Sequence, residues 1–262
     1  MNILDKIVRY KRKEVIQRKN HYPAKILERT TNFQRKTYSL ADNLVKNYPG
    51  ILAEFKRKSP SAGMLNDRII VEEVIKGYID SGAAALSVLT DHKFFGGSLA
   101  DLEAARNNSF HPILRKDFIL DEYQVIEAKA AGADAILLIA EILTKDQVRQ
   151  LSVLARSLSL EVVLEIHYAE QLTKLCDQVN IVGVNNRDLE NLTVDVDTSF
   201  KLAGAIPDNF LRISESGINS PDIIRKMIDF GYHGFLIGEY FMKHRVPQEA
   251  CKKLIENVLG KY

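Results

Sequence analysis

From Ile51 onward the chain repeats one phrase eight times: a short apolar run, then a stretch whose apolar residues recur at helical spacing. The runs are Ile51 to Lys56, Ala84 to Leu89, Pro112 to Lys116, Ala135 to Ala140, Val162 to Ile166, Ile181 to Asn185, Leu211 to Ser214 and Gly234 to Gly238. The helical stretches are Ile69 to Ser81, Leu99 to Asn107, Tyr123 to Ala131, Lys145 to Leu158, Ala169 to Gln178, Thr198 to Ala205, Pro221 to Phe230 and Gln248 to Leu259. Such alternation marks βα repetition and a parallel sheet. Two helix ends share a wording, Ser81-Gly82-Ala83-Ala84 and Ala131-Gly132-Ala133-Asp134, and Phe230-Gly231-Tyr232 is similar. Glycine suits the left-handed position that ends a helix, with the next strand following at once.

Eight such units point to an α/β fold closed as a (β/α)8 TIM barrel. An open doubly wound sheet is the main rival. It would carry a glycine-rich phosphate fingerprint after its first strand, where this chain has Ser59-Pro60-Ser61. Before Gly50 the pattern is helical, with Ile3, Leu4, Ile7, Val8 and Val15 and later Leu40, Leu44 and Val45 near helical spacing. No linker or low-complexity segment divides the chain. The expected organisation is one barrel domain over 1–262, with 1–46 as a helical N-terminal extension.

Charge narrows the partners. A net charge of +2, from 36 basic and 34 acidic residues, supplies no global field for a polyanion, so no nucleic acid is expected. The segment Lys6 to Lys25 is locally basic, through Arg9, Lys11, Arg12, Lys13, Arg18 and Lys19, and reads as a solvated helix face. Cys176 and Cys251 fall in helical patterns without metal-type spacing, so reduced thiols in the cytoplasm are expected. Met1 to Tyr10 has no apolar core of a signal peptide, and no run approaches the roughly 18 apolar residues of a membrane span. No membrane partner is expected, and a monomer or weak homodimer is.

In a barrel of this kind the working groups sit at the C-terminal ends of strands. Glu54 and Lys56 close the first run and point the same way, about 7 Å apart along a strand. Lys116 closes the third run, Glu165 lies inside the fifth, and Glu215 follows the seventh. Any one of these taken alone also reads as a structural ion pair. Several charges at one end of separate apolar strands are hard to explain as solvated surface. Glu165 sits in an apolar run, so its proton affinity should rise unless a lysine such as Lys56 or Lys116 stands close. Ser216-Gly217 after the seventh run and Gly238 at the end of the eighth match the place where such barrels cradle phosphate on backbone amides. Phe94, Phe95 and Phe118 lie in loops near this mouth, suited to a flat ring or to lid packing. His92, His111 and His167 form no metal constellation, and no metal is expected.

Five motifs in order give the chain a resemblance. They are Ile51-Leu52-Ala53-Glu54-Phe55-Lys56-Arg57-Lys58-Ser59-Pro60-Ser61, Leu114-Arg115-Lys116-Asp117-Phe118-Ile119, Leu164-Glu165-Ile166-His167, Gly183-Val184-Asn185-Asn186-Arg187-Asp188-Leu189 and Ser214-Glu215-Ser216-Gly217-Ile218. From about Leu40 to Met242 the chain resembles the indole-3-glycerol phosphate synthase family. The resemblance implies a carboxy-lyase of tryptophan biosynthesis, acting without a cofactor on 1-(2-carboxyphenylamino)-1-deoxyribulose 5-phosphate. In that reaction the ring carbon bearing the carboxylate attacks the ketone, CO₂ leaves, and water is lost.

By position, Lys116 matches the family's general acid, Glu165 its general base, and Glu54 with Lys56 the pair that orients them. The resemblance implies a share in the dehydration for Lys56 as well. Asn185 and Arg187 match substrate contacts, as do Glu215 and Ser216. Ser59, Gly217, Gly238 and Glu239 match positions near the phosphate. Phe95, Phe118 and Leu137 fall where the family holds the anthranilate ring. Ala62 replaces a frequent lysine and Tyr240 a small residue, which bears on the phosphate rim. A phosphoribosylanthranilate isomerase would want a Cys/Asp pair at strand ends, against which both cysteine positions count. A barrel that binds the ligand without catalysis is the other alternative, and it would have no need to keep these charges.

Overall fold

The computed structural model describes residues 2–260; Met1, Lys261 and Tyr262, which the expected 1–262 span includes, lie outside the described residues. Eight parallel strands close into a barrel. They are β1 (Ile51–Phe55), β2 (Ala85–Leu89), β3 (Ile113–Lys116), β4 (Ala135–Ile139), β5 (Glu161–Ile166), β6 (Ile181–Asn185), β7 (Leu211–Glu215) and β8 (Gly234–Ile237). Each pairs with the next, and β8 returns to β1 through Ile51↔Phe235, Leu52↔Leu236 and Ala53↔Ile237. The main helices are α1 (Ile3–His21), α2 (Leu40–Lys46), α3 (Val71–Asp80), α4 (Leu99–Asn107), α5 (Glu122–Ala130), α6 (Lys145–Ser157), α7 (Asp197–Ala203), α8 (Pro221–Asp229) and α9 (Pro247–Val258).

Strand alternation divides the apolar residues into two cores. On β1, Leu52 joins Leu114, Leu137, Val163, Ile213 and Leu236 inside the barrel. Its neighbours Ile51, Ala53 and Phe55 face outward and pack with Ile75 and Tyr78 of α3. Local chemistry sets the helix ends. Thr144 and Gln147 form a reciprocal capping box at the start of α6, and Ser220 caps α8 ahead of Pro221. The repeated glycine after a helix holds φ +90 at Gly82, +92 at Gly132 and +83 at Gly231, a conformation costly for any residue with a Cβ.

The N-terminal residues close both ends of the barrel. Leu4 and Ile7 of α1 reach the interior core from the C-terminal mouth, where they line a cavity. Leu40 and Leu44 of α2 enter from below, and Leu44 stands against Gly234 at the start of β8. Glu161, the first residue of β5, ties α2 in place. It accepts from Ser39 Oγ at 2.7 Å and from the Ala41 amide at 2.9 Å.

Two expectations differ from what is observed. The stretch Ala169 to Gln178 forms only a 3₁₀ helix, Ala169–Lys174. Gln171 turns its side chain back to accept from the His167 amide, and the Lys174 ammonium reaches across to the carbonyls of Ala140 and Leu143. Leu175 is then extended, which leaves Cys176 in a loop rather than a helix. The basic face of α1 is not wholly solvated either. Lys11 is 1% exposed, because the barrel loops supply buried carboxylates, Asp91 and Asp117, at 2.9 Å each.

Truncating the lower plug removes a fully packed side chain. Leu44→Ala should lower the unfolding free energy by about 2–5 kcal/mol. Urea denaturation measures this, and an unchanged midpoint would mean that α2 does not plug the barrel.

Candidate active site

The charged side chains singled out from the sequence form one layer of the barrel. Glu54 lies level with Ser87 on β2. Ser87 lies level with Leu114 on β3, two residues short of Lys116. Arg115 leads through Ile136 to Val162, which puts the row of Lys116 two residues short of Glu165. Glu165 leads through Gly183 to Ile213, two short of Glu215, and Leu236 then leads to Leu52, two short of Glu54. Four advances of two residues, one for each pair of strands, match the shear of about 8 of a (β/α)8 barrel. The odd strands β1, β3, β5 and β7 therefore present Glu54, Lys116, Glu165 and Glu215 at one height, where alternate strands fill a common layer.

Two glycines make room for this layer. A Cβ on Gly183 would stand 2.5 Å from Glu215 Oε1, and one on Gly238 would collide with the Glu54 carboxylate. Lys116 Nζ lies 2.8 Å from Glu165 Oε2 and 3.2 Å from Glu215 Oε2. Lys56 Nζ pairs with Glu54 Oε1 at 2.7 Å. His167 Nε2 stands 3.7 Å from the other oxygen of Glu165.

One ammonium shared by two buried carboxylates separates their proton affinities. Burial opposes charge on Lys116, but the carboxylates of Glu165, Glu215 and Glu54 hold its pKa above the ordinary lysine value. Burial also opposes charge on Glu165; the adjacent Lys116 outweighs it and holds the carboxyl below its usual value. Glu215 has the longer contact. Burial pushes its pKa up to about 8, although Lys116 works against the rise. The site therefore holds an ionised carboxylate and a protonated carboxylic acid on either side of one cation. Glu215 Oε1 has no hydrogen-bond partner among the described residues.

Around this floor opens a cavity of about 620 Å³. All the sequence candidates line it: Glu54, Lys56, Ser59, Phe95, Lys116, Phe118, Leu137, Glu165, Asn185, Arg187, Glu215, Ser216, Gly217, Gly238 and Glu239. On one side the rings of Phe95 and Phe118 stand 6.0 Å apart beside buried Leu137. On the other side Ser216 and Gly217 hold φ of 68 and 76. The Asn186 amide fixes that turn by donating to the Ser216 carbonyl at 3.0 Å. Ser59 is buried and also lines the cavity, its Oγ accepting from the Ala62 amide. The Glu239 carboxylate is engaged by Arg187 at 2.9 Å and Lys243 at 2.7 Å, so only its backbone amide is left to face an anion. Tyr240 packs against Phe241 and His244 at this rim.

Sequence reasoning missed the roof of the cavity, which includes Ile3, Leu4 and Ile7 of α1 and Leu189, Leu192, Val194 and Val196 of the loop after β6. The helical spacing of the first three showed an apolar face. It carried no sign of what that face covers.

The raised pKa of Glu215 links stability to pH. The unfolded carboxyl loses its proton near 4.5, the folded one near 8. Between these values the native state binds the extra proton, so the contribution of this group is full below 4.5 and is lost as pH rises to about 8. Glu215→Gln should flatten the fall in unfolding free energy across that window, as read from urea denaturation at a series of pH values. A slope identical to that of the parent protein would mean that Glu215 is ionised throughout.

The family model for indole-3-glycerol phosphate synthase matches residues 4–254, so the match begins within α1 and extends past the motifs at both ends. A protein of that description from Bacteroides thetaiotaomicron is 43% identical over 257 residues, covering 98% of this chain and 99% of the relative. Another from Carboxydothermus hydrogenoformans is 40% identical over 261 residues, covering 96% and 99%. Among solved structures, the tryptophan synthase α2β2 complex of Pyrococcus furiosus matches with a TM-score of 0.59 at 16% identity, over 80% of this chain and 98% of that one. That likeness concerns the fold alone. The layer of charges, the cavity and the full-length match agree: this chain belongs to the indole-3-glycerol phosphate synthase family.

Proposed function

We propose that the cavity at the barrel mouth closes the indole ring of 1-(2-carboxyphenylamino)-1-deoxyribulose 5-phosphate, giving indole-3-glycerol phosphate, CO₂ and water. The observation that carries this reading is Lys116 held between Glu165 and Glu215 on the cavity floor. The phosphate is assigned to the rim of Ser59, Ser216, Gly217, Gly238 and the Glu239 amide. The anthranilate ring is assigned to Phe95, Phe118 and Leu137. Those two walls leave the ribulosyl ketone between them, over the charged layer.

Ring attack on the ketone turns its oxygen into an alkoxide. A lysine that its carboxylate partners keep protonated against the cost of burial gives up its proton when so strong a base forms beside it. Lys116 is therefore the acid at the ketone oxygen. Departure of CO₂ returns its bonding pair to the ring and restores aromaticity. Loss of water then needs one proton removed and one given to the leaving hydroxyl. Glu165, ionised through its contact with Lys116, is the base for the first. Lys56, oriented by Glu54, stands at the same mouth and shares the second with Lys116 once water has returned a proton to Lys116. Asn185 holds a substrate hydroxyl and Arg187 a further polar contact. Both cysteines are free thiols, in keeping with work in the reducing cytoplasm. Among the described residues no helix is long and apolar enough to cross a membrane.

The direct test is to mix the protein with the carboxyphenylamino substrate and follow indole fluorescence; binding without fluorescent product would leave only a scaffold. Lys116→Met should lower kcat by about 100-fold or more while substrate binding is retained. An unchanged kcat would remove Lys116 from the chemistry. Glu165→Gln should slow turnover by a similar order, roughly 100-fold or more. A rise in KM alone would make Glu165 a binding group instead.

A further inference from the structure

We propose that Lys11, on the N-terminal helix and outside the cavity, is a positioning residue that holds the two aromatic walls of the site at their working separation. The inference rests on the assignment of Phe95 and Phe118 to the aryl ring. Lys11 Nζ lies 2.9 Å from Asp91 Oδ2, from Asp117 Oδ1 and from Glu14 Oε2. Lys11 and both aspartates are buried. Each aspartate organises one of the loops that carry the rings.

Asp91 Oδ1 accepts from the Phe94 amide at 2.7 Å and so caps the helical turn His92–Phe95 that presents Phe95. Asp117 Oδ1 accepts from the Phe118 amide at 2.8 Å. Its Oδ2 accepts from Thr90 Oγ at 2.6 Å and from Arg115 at 3.0 Å. One ammonium thus bridges the loop after β2 to the loop after β3, and the two rings end 6.0 Å apart with a 38° tilt. Without the cation two buried carboxylates on adjacent loops would face each other, and like charges in a poorly solvated place drive their carriers apart.

The same contact seats the roof. Ile7 lies four residues before Lys11, on the same face of α1, and lines the cavity with Ile3 and Leu4. Lys11 itself does not line the cavity. Arg18, two turns further along, pairs with Glu127 of α5, which in turn holds Arg115. The helix is therefore anchored to the back of the strand whose last residue is Lys116. The geometry directs the effect of Lys11 to the aryl end of the substrate; the phosphate end is built from other loops.

Two simple competitors separate these ends: anthranilate for the aryl wall and inorganic phosphate for the rim. In Lys11→Met, KM and the inhibition constant of anthranilate should each rise about 10-fold, while kcat and the inhibition constant of phosphate stay within about twofold. Lys11→Arg keeps a cation with a different reach and should give the same pattern with a smaller rise. It carries the test if the methionine variant does not fold. An unchanged anthranilate constant in a folded variant overturns the proposal. So does a parallel rise in both constants, which a purely structural role would produce. Phe118→Ala in the parent protein checks the assignment beneath it. If that change leaves anthranilate inhibition intact, the aryl wall is misassigned and the role of Lys11 falls with it. If Phe118→Ala weakens anthranilate and Lys11→Met does not, only the role of Lys11 falls.

Discussion

The site depends on one buried ammonium that two carboxylates compete to neutralise. Placing Lys116 at the floor of an apolar barrel has a desolvation cost that a single exposed partner could not offset. Glu165 and Glu215 offset it from β5 and β7, and Glu54 adds its field from β1. Because one positive charge cannot keep both near carboxylates ionised, they part into a base and a neutral acid. The separation of roles comes from the surroundings, with no difference in residue type: Glu165 has the closer contact to Lys116 and is helped by His167 and Asn185, whereas burial and the charges of Glu165 and Glu54 raise Glu215.

A closed barrel can hold such an arrangement because its geometry repeats. The shear lifts each second strand by two residues relative to its neighbour, so four side chains far apart in the chain meet at one level. Gly183 and Gly238 leave the space that the carboxylates occupy. The outward-facing residues of the same strands are committed to packing on the helices. The charged layer is thus fixed by a core with which it shares no side chain.

The N-terminal helices complete what the barrel cannot do for itself. Leu40 and Leu44 fill the lower end, where the strands begin. Ile3, Leu4 and Ile7 cover the upper end beside the cavity. The buried lysine one turn further along α1 ties that cover to the loops carrying Phe95 and Phe118. Cover and wall are therefore joined through one buried ion cluster, which couples the shape of the cavity to the seating of the helix.

Much of this was legible in the order of residues. Apolar runs in a helical frame give parallel strands, their number gives closure, and the polar residue at the end of each run marks the working face. The motif around Glu54 and Lys56, with Lys116, Glu165 and Glu215, points to the mouth by residue order alone. Three matters stayed out of reach. Helical spacing around Cys176 could not show that Gln171 and Lys174 would be drawn away to neighbouring loops. A basic stretch in α1 could not show that Lys11 would meet two carboxylates from residues 91 and 117. A glutamate at the end of β7 could not show that it would keep its proton. The chain alone determined the strand count, the alternation of faces and the chemical types at the mouth, because these follow from local periodicity. The protonation of each group, the roof over the cavity and the burial of Lys11 were decided only by tertiary structure, because each depends on distances between segments that the sequence holds far apart.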